Sequence, residues 1–302
     1  MNNNFLAQNL HLCIPPIKPF QKGELGLSEA LLSVNNGRIS ILEENPSQDN
    51  LRFQSFLALI RGVQVPNCEF VLNMYEGVYE DCPQRLAYTA KPNSGHILIP
   101  DAHNFETRQK VLYVFESDVP FSAKKKMAVF AGSDTGARHS DGWTMRSLVS
   151  ATYKDSSTVY SKLTHLDADI GRLSGKVDSA EISSLPVSMD EQLSYQVILN
   201  INGNSTSWER LLWAMASDSL CVFVKPFDGE EMYSWYYPLL EITGCVPFVE
   251  YDRLEKFMEN DFSTDYWQQK IVAQKEFAIF VSDLSVQAKF LEMVFKEYVA
   301  NS

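Results

Sequence analysis

Short apolar runs, each closed by glycine, proline or a polar turn, set the rhythm of this chain. "GRISILEE" (37–44) and "EFVLNMY" (69–75) have the length and β-branched content of strands, and "HILIP" (96–100) is a third, closed by proline. Between the first two, "NLRFQSFLALIRGV" (50–63) places Leu51, Phe53, Phe56, Leu57 and Ile60 close to one helical face. The lysine run Lys124 to Lys126 reads as a solvated linker. Beyond it a strand, Met127 to Ala131, stops at Gly132. A helix (143–153), a strand (157–163), a strong strand (194–201), a strong helix (206–217) and a buried strand (219–224) follow. A short strand (245–251) and three helices (251–259, 264–274 and 284–299) close the chain.

Strands alternating with helices predict α/β layers with parallel sheets. Two such units in tandem predict two Rossmann-like domains facing a central cleft, with ligands at the carboxyl ends of the strands. The expected division is 1–122 for the first domain and 123–280 for the second. A final helix, 281–302, crosses back to the first.

Composition narrows the partners. The chain has 302 residues, 45% of them hydrophobic, and a net charge of -12. An acidic surface disfavours nucleic acid, whose phosphates need a basic face. The five cysteines are scattered without CxxC spacing, which predicts buried reduced thiols. The N-terminal residues lack a basic region followed by an apolar one, and no apolar run is long enough to span a bilayer. A cytoplasmic protein without a transmembrane segment is expected.

Two crossings from strand to helix carry candidate chemistry. In "VILNINGNSTSWERLL" a buried strand meets Gly203, a polar turn and a helix. Thr206 and Glu209 have capping-box spacing, free N–H groups at such a helix start attract anions, and Arg210 can add a charged fork to a phosphate. An ordinary capped helix with a surface arginine has the same spacing. In "MAVFAGSDTGARHSDGWTMR" the strand ends at Gly132, and Ser133, Thr135 and the N–H groups of Gly136 and Ala137 can line an anion that Arg138 or Arg146 neutralises. Asp134-Thr135-Gly136 is also the aspartic-protease tripeptide, but such an enzyme needs two carboxylates sharing one proton, and the tripeptide occurs once. Asp167-Ala168-Asp169 is a DxD that can hold a metal on a sugar nucleotide, or a chance tripeptide. Glu76, Glu80 and Asp81 end a strand, where a carboxylate serves as general base or simply as a solvated loop. "FDGEEMYSWYYPLL" mixes carboxylates with aromatics, as sugar sites and packed helices both do. No P-loop, GxGxxG or GxSxG occurs.

Taken in order over residues 66 to 280, these blocks resemble glycosyltransferase family 90, the Rumi-like protein O-glucosyltransferases and capsule- or lipopolysaccharide-type sugar transferases. "LNINGNSTSWER", "VFAGSDTGARHS", "KLTHLDADI", "VPNCEFVLNMYEG" and "ILIPD" are similar to the family's successive motifs. So is the segment from "SLCVFV" through "MYSWYYP" to "CVPFVEY". The sequence departs from the pattern at Ala131, where an arginine is common, and at Gly244, where a histidine is common.

The resemblance implies a GT-B-like fold and an inverting, metal-independent transfer of glucose or xylose from a UDP-sugar to a glycan or glycolipid hydroxyl. The UDP-sugar is a co-substrate, and no cofactor is implied. Carried onto matching positions, Gly132, Ser133, Thr135 and Arg138, or Arg146 in its place, face the donor diphosphate. Gly203, Asn204, Ser205, Thr206, Ser207 and Arg210 cradle it. Asp167 and Ala168 lie near the nucleoside, Glu231 near the donor and Asp101 on the acceptor side. Glu76 falls at the catalytic base, with Asp81 as its rival. A metal-dependent transferase using Asp167 and Asp169, and a non-catalytic nucleotide-sugar-binding protein, are the competing readings.

Overall fold

The Asn36-Gly37 step turns the first strands back on themselves. Both residues take positive φ, 50° and 73°, which is the backbone of a two-residue hairpin turn. In the computed structural model, described over residues 3–18, 21, 23, 25, 29–44, 50–74, 84–92, 94–100, 103–166 and 177–301, this turn joins β1 (Glu29–Asn35) to β2 (Arg38–Glu44). The helix α1 (Asn3–Asn9) precedes them, and α2 (Asn50–Ile60) and β3 (Cys68–Asn73) follow. Next come β4 (Leu86–Ala87), β5 (Ile97–Leu98) and α3 (Asn104–Ser117). The alternating part comprises β6 (Lys125–Ser133), α4 (Met145–Thr152), β7 (Val159–His165), α5 (Ser179–Ile182), α6 (Met189–Leu193), β8 (Tyr195–Asn200), α7 (Trp208–Ala216) and β9 (Leu220–Val224). The chain closes with α8 (Tyr237–Thr243), β10 (Phe248–Val249), α9 (Leu254–Met258), α10 (Asp265–Ser282) and α11 (Leu284–Ala300).

The chain divides into two units. One comprises Met1–Gln109, Met232–Thr243 and Ile279–Ser302; the other comprises Lys110–Glu231 and Gly244–Ala278. The first holds a mixed sheet in the order β2-β1-β3-β4-β5. There β1 runs antiparallel to both β2 and β3, and only β3, β4 and β5 run parallel. The hairpin fixes the β1–β2 pair, because a two-residue turn can join only antiparallel strands. Phe70 of β3 sits at the centre of this core, with its ring 6.1 Å from Phe56 of α2 and 5.1 Å from Phe295 of α11. Phe290, Leu291, Val294, Phe295 and Tyr298 give α11 one buried face, and Asp283 caps its start through the Ser285 N–H at 2.8 Å.

The second unit is the doubly wound part. Its five strands are all parallel, in the order β10-β9-β8-β6-β7. Counted from β6, this is the order 2-1-3-4-5, in which the winding reverses between the first and third strands. That switch lies between β6 and β8. Val197, Leu199 and Val222 of the sheet pack with Phe130, Val149 of α4 and Ile271 of α10.

Four expectations need correction. Lys124 is not part of a solvated linker. It is buried, its ammonium bonds both Asp118 carboxylate oxygens at 2.7 Å, and it donates to the Leu193 carbonyl at 2.5 Å. Burial pulls its pKa down, against the pull of Asp118. The strand expected over 245–251 shrinks to β10, because Pro247 has no N–H to add to the ladder. The helix expected over 251–259 divides into a 3₁₀ turn, Tyr251–Arg253, and α9. The helix expected over 264–274 continues to Ser282, pinned in mid-course by Gln274, whose amide bonds Cys221 N and O and Cys245 O.

Among the described residues no helix is long and apolar enough to cross a membrane. Cys13, Cys221 and Cys245 are buried free thiols and Cys68 is a half-buried one, while Cys82 lies outside the described residues.

Candidate functional site

The loops leaving β6 and β8 begin on either side of the switch point. In doubly wound sheets the crevice at that position takes the ligand. The β6 loop, 134–144, is rigidly built. Asp134 is buried and accepts from Thr144 Oγ1 at 2.5 Å and from Arg138 Nη2 at 3.5 Å, while Arg138 Nη1 donates to the Gly142 carbonyl at 2.9 Å. Thr144 then opens α4 in a reciprocal capping box with Ser147. Asp134 is therefore the loop's internal anchor, and Arg138 is its counterion. In these contacts Arg138 is tied to its own loop, through Asp134 and the Gly142 carbonyl.

Arg146, from the first turn of α4, ties the two strand ends together. Its Nη1 donates to the Ser133 carbonyl at 3.0 Å and to Thr135 Oγ1 at 2.7 Å, and its Nε and Nη2 donate to the Ile201 carbonyl at 3.1 and 2.9 Å. Arg210, from α7, donates through Nη2 to the Ala131 carbonyl at 2.6 Å. Both guanidinium groups lie against the Phe130 ring, at 5.5 and 5.0 Å. Among the described residues neither has a carboxylate within ion-pair distance. Burial, together with the like charge of Arg210, pushes the pKa of Arg146 down to about 9, and burial pushes that of Arg210 down to about 10. Guanidinium stays charged at neutral pH, so these shifts express mainly the cost of withdrawing the two charges from water, which Asp134 for Arg146 and Glu209 for Arg210 offset only in part.

Two glycines allow this approach. A Cβ on Gly203 would lie 2.6 Å from Thr135 Oγ1 and 2.9 Å from Arg146 Nη2. A Cβ on Gly132 would lie 2.9 Å from Arg210 Nη2. The two loops meet where Gly136, at φ 125°, packs on the Gly203 backbone, and the Gly136 N–H donates to Asn204 Oδ1 at 2.9 Å.

The start of α7 corrects the expected capping box. Ser207, not Thr206, holds the N-cap position, without a side-chain cap, and its hydroxyl turns back to the Ile201 carbonyl at 3.1 Å. Glu209 does not reach back either; it pairs with Lys110 at 2.5 Å. The Ser205 hydroxyl bonds the Thr206 carbonyl at 3.3 Å. What remains is a set of polar atoms without partners among the described residues: Arg210 Nη1, Thr206 Oγ1, and both amide atoms of Asn200. Asn200 is fully buried at the end of β8. The Ser205, Thr206 and Ser207 residues are buried too, and their N–H groups donate to no described residue. Buried donors without acceptors are costly, and a set of them beside two cations with no ion-pair partner among the described residues has the chemistry of an anion site.

The structure thus brings Gly132, Ser133, Thr135, Arg146, Gly203, Asn204, Ser205, Thr206, Ser207 and Arg210 together at one sheet end. Glu231 is half-buried and makes no hydrogen bond or ion pair with this cluster. The aromatic stretch after it packs inward: Trp235, Tyr236 and Tyr237 are buried, and Trp235 lies 4.7 Å from Phe290. Glu76, Glu80, Asp81, Asp101, Asp167, Ala168 and Asp169 lie outside the described residues. Asn200 is the residue that sequence reasoning missed; its signal was an amide at the end of an apolar run, Val197 to Leu199. Among the described residues no group of three histidine, cysteine, aspartate or glutamate side chains can hold a metal.

A scan of protein-family models and a search of curated proteins return no match to this chain.

Proposed function

We propose that this chain is a UDP-sugar-dependent glycosyltransferase of the GT-B kind, which transfers a sugar with inversion to a glycan or glycolipid hydroxyl without a metal ion. The observation that carries the proposal is the pair of guanidinium groups, Arg146 and Arg210, that have no ion-pair partner among the described residues and lie among donors with no described acceptor, at the switch point of a parallel sheet. A diphosphate matches that set, since it supplies several acceptor oxygens and the missing negative charge.

In this reading the diphosphate leaves with growing charge. Arg210 Nη1, Thr206 Oγ1 and the N–H groups of 205–207 receive it, already fixed in place by the loop contacts. Arg146 sets the spacing of the two strand ends. A carboxylate from the 76–81 stretch takes the proton of the acceptor hydroxyl. The sequence resemblance supplies the nature of the donor, and the charge arrangement supports the place where its phosphates bind.

The test is UDP release from a panel of UDP-sugars, with and without EDTA. Release unaffected by EDTA and lowered about 10²–10³-fold in Arg210→Ala is expected, the effect typical of losing one such donor. Glu76→Gln is expected to bind UDP and lose transfer. A wild-type protein that neither binds UDP nor releases it from any donor overturns the proposal.

A further inference from the structure

A second hollow opens at the same end of the parallel sheet, past β9 and β10. It has a volume of about 660 Å³, within the range of small-molecule sites. Lys225, which follows β9, and Glu250, which follows β10, line it together with Arg253, Lys256 and two phenylalanines, Phe248 and Phe257. β10 lies two strands from β8, or about 10 Å at ordinary strand spacing, so the hollow is separate from the guanidinium pair.

Three features give this hollow a chemical preference. The first is charge. Lys225 is neutralised by Glu250 at 2.6 Å, but Arg253 and Lys256 have no carboxylate partner among the described residues. Glu255, between them in sequence, is drawn away to the Ser156 hydroxyl at 2.6 Å. Three cations against Glu250 and Glu259 leave the lining net positive, on a chain whose net charge is -12. Such a local reversal attracts an anion.

The second feature is an aromatic surface held ready. Phe248 is 48% exposed, although it sits in a strand. Its ring stacks on Phe223 at 5.1 Å and 20°, and its backbone is paired in register with the same residue. A ring fixed from behind presents its face without an ordering cost. The third feature is the acceptor set: Glu250, Glu259 and the Asn260 amide, which suit hydroxyl donors.

We infer that this hollow binds a saccharide carrying a negative charge, with the sugar against Phe248, its hydroxyls on the carboxylates and its acid group on Arg253 and Lys256. The inference does not depend on the phosphate site, and its test uses different ligands. The acid group is a carboxylate or a phosphate, and glucuronic acid and glucose 6-phosphate distinguish the two.

Calorimetric or NMR titration of the full chain with glucuronic acid, glucose 6-phosphate and uncharged glucose reads the preference. One or both anionic sugars should bind about 10-fold more tightly than glucose, the value of one charge-assisted contact. The double reversal Arg253→Glu with Lys256→Glu should abolish that preference, and Phe248→Ala should weaken all three sugars together. These side chains are exposed, and an unchanged melting temperature confirms that the variants fold. Equal binding of glucose and the anionic sugars overturns the inference, as does binding that survives the double reversal. A signal displaced by UMP and removed by Arg210→Ala belongs to the switch-point site and overturns it as well.

Discussion

The two ends of the second unit's parallel sheet both hold buried or half-buried cations, and they treat them in opposite ways. At the amino end Lys124 meets Asp118, the Asp118 carboxylate also accepts from the Asp218 N–H at 2.6 Å, and Lys275 pairs with Asp218 at 2.5 Å. Each of these four charges has a partner. At the carboxyl end Arg146 and Arg210 share one aromatic ring and, among the described residues, have no carboxylate within ion-pair distance. A closed network is structure, while an open one of a single sign supports the proposed anion site. Burial alone does not separate the two; the presence of a counterion does.

The comparison fails first if the amino end proves dispensable. Lys124→Ala leaves Asp118 buried without its cation, so a loss of about 3–5 kcal/mol is expected in denaturant unfolding. UDP affinity in the folded fraction should not change. A stable variant would show that the network is not what holds the β6 and β8 starts together.

At the carboxyl end the effects should invert. Arg210→Ala is expected to weaken UDP binding about 100-fold or more by calorimetry, or about 2.7 kcal/mol. The melting temperature without ligand should stay the same or rise, because a like-charge repulsion is gone. A fall in stability with UDP affinity intact would make Arg210 a second Lys124 and remove the contrast. In the wild type, UDP at 100 times its dissociation constant should add about 2.7 kcal/mol of stability.

Gly203→Ala probes the approach of the two loops. Its new methyl meets Thr135 Oγ1 and Arg146, and overpacking of this kind costs about 1–3 kcal/mol. A shift in the urea midpoint would measure it, and an unshifted midpoint would mean that the loops yield freely. The smallest expected effect is that of Thr206→Val. It removes a hydroxyl that has no partner among the described residues, so stability should hold or rise slightly, while UDP binding weakens by up to about tenfold. Unchanged binding would remove Thr206 from the site and leave the guanidinium pair in place.

Much of the second unit was legible in the chain, for a local reason. Its inner strands β6, β8 and β9 are largely apolar runs buried along most of their length, β7 alternates, and the longer helices α4 and α7 are amphipathic, so periodicity finds them. The first unit was less legible, although Asn36-Gly37 is a strong hairpin signal that places β1 before the strand the pattern found. The capping of α7 was misread because Thr206 and Glu209 have the right spacing. Lys110, distant in sequence, draws Glu209 off, and the Ile201 carbonyl draws Ser207. Spacing cannot report such a competitor.

By itself the amino-acid sequence determined the α/β character, the two glycine-punctuated crossings at Gly132 and Gly203, and the arginines that follow them. These depend on residue type and near neighbours, where backbone preference and apolar period act. Only the tertiary structure decided that Arg138 pairs with Asp134, that Arg146 fastens two strand ends, and that Arg210 and Asn200 keep atoms without partners among the described residues. It also decided that three lysines in a row begin with a buried one. Whether a charge is free depends on what the fold brings within 3 Å of it, and that distance links residues far apart along the chain.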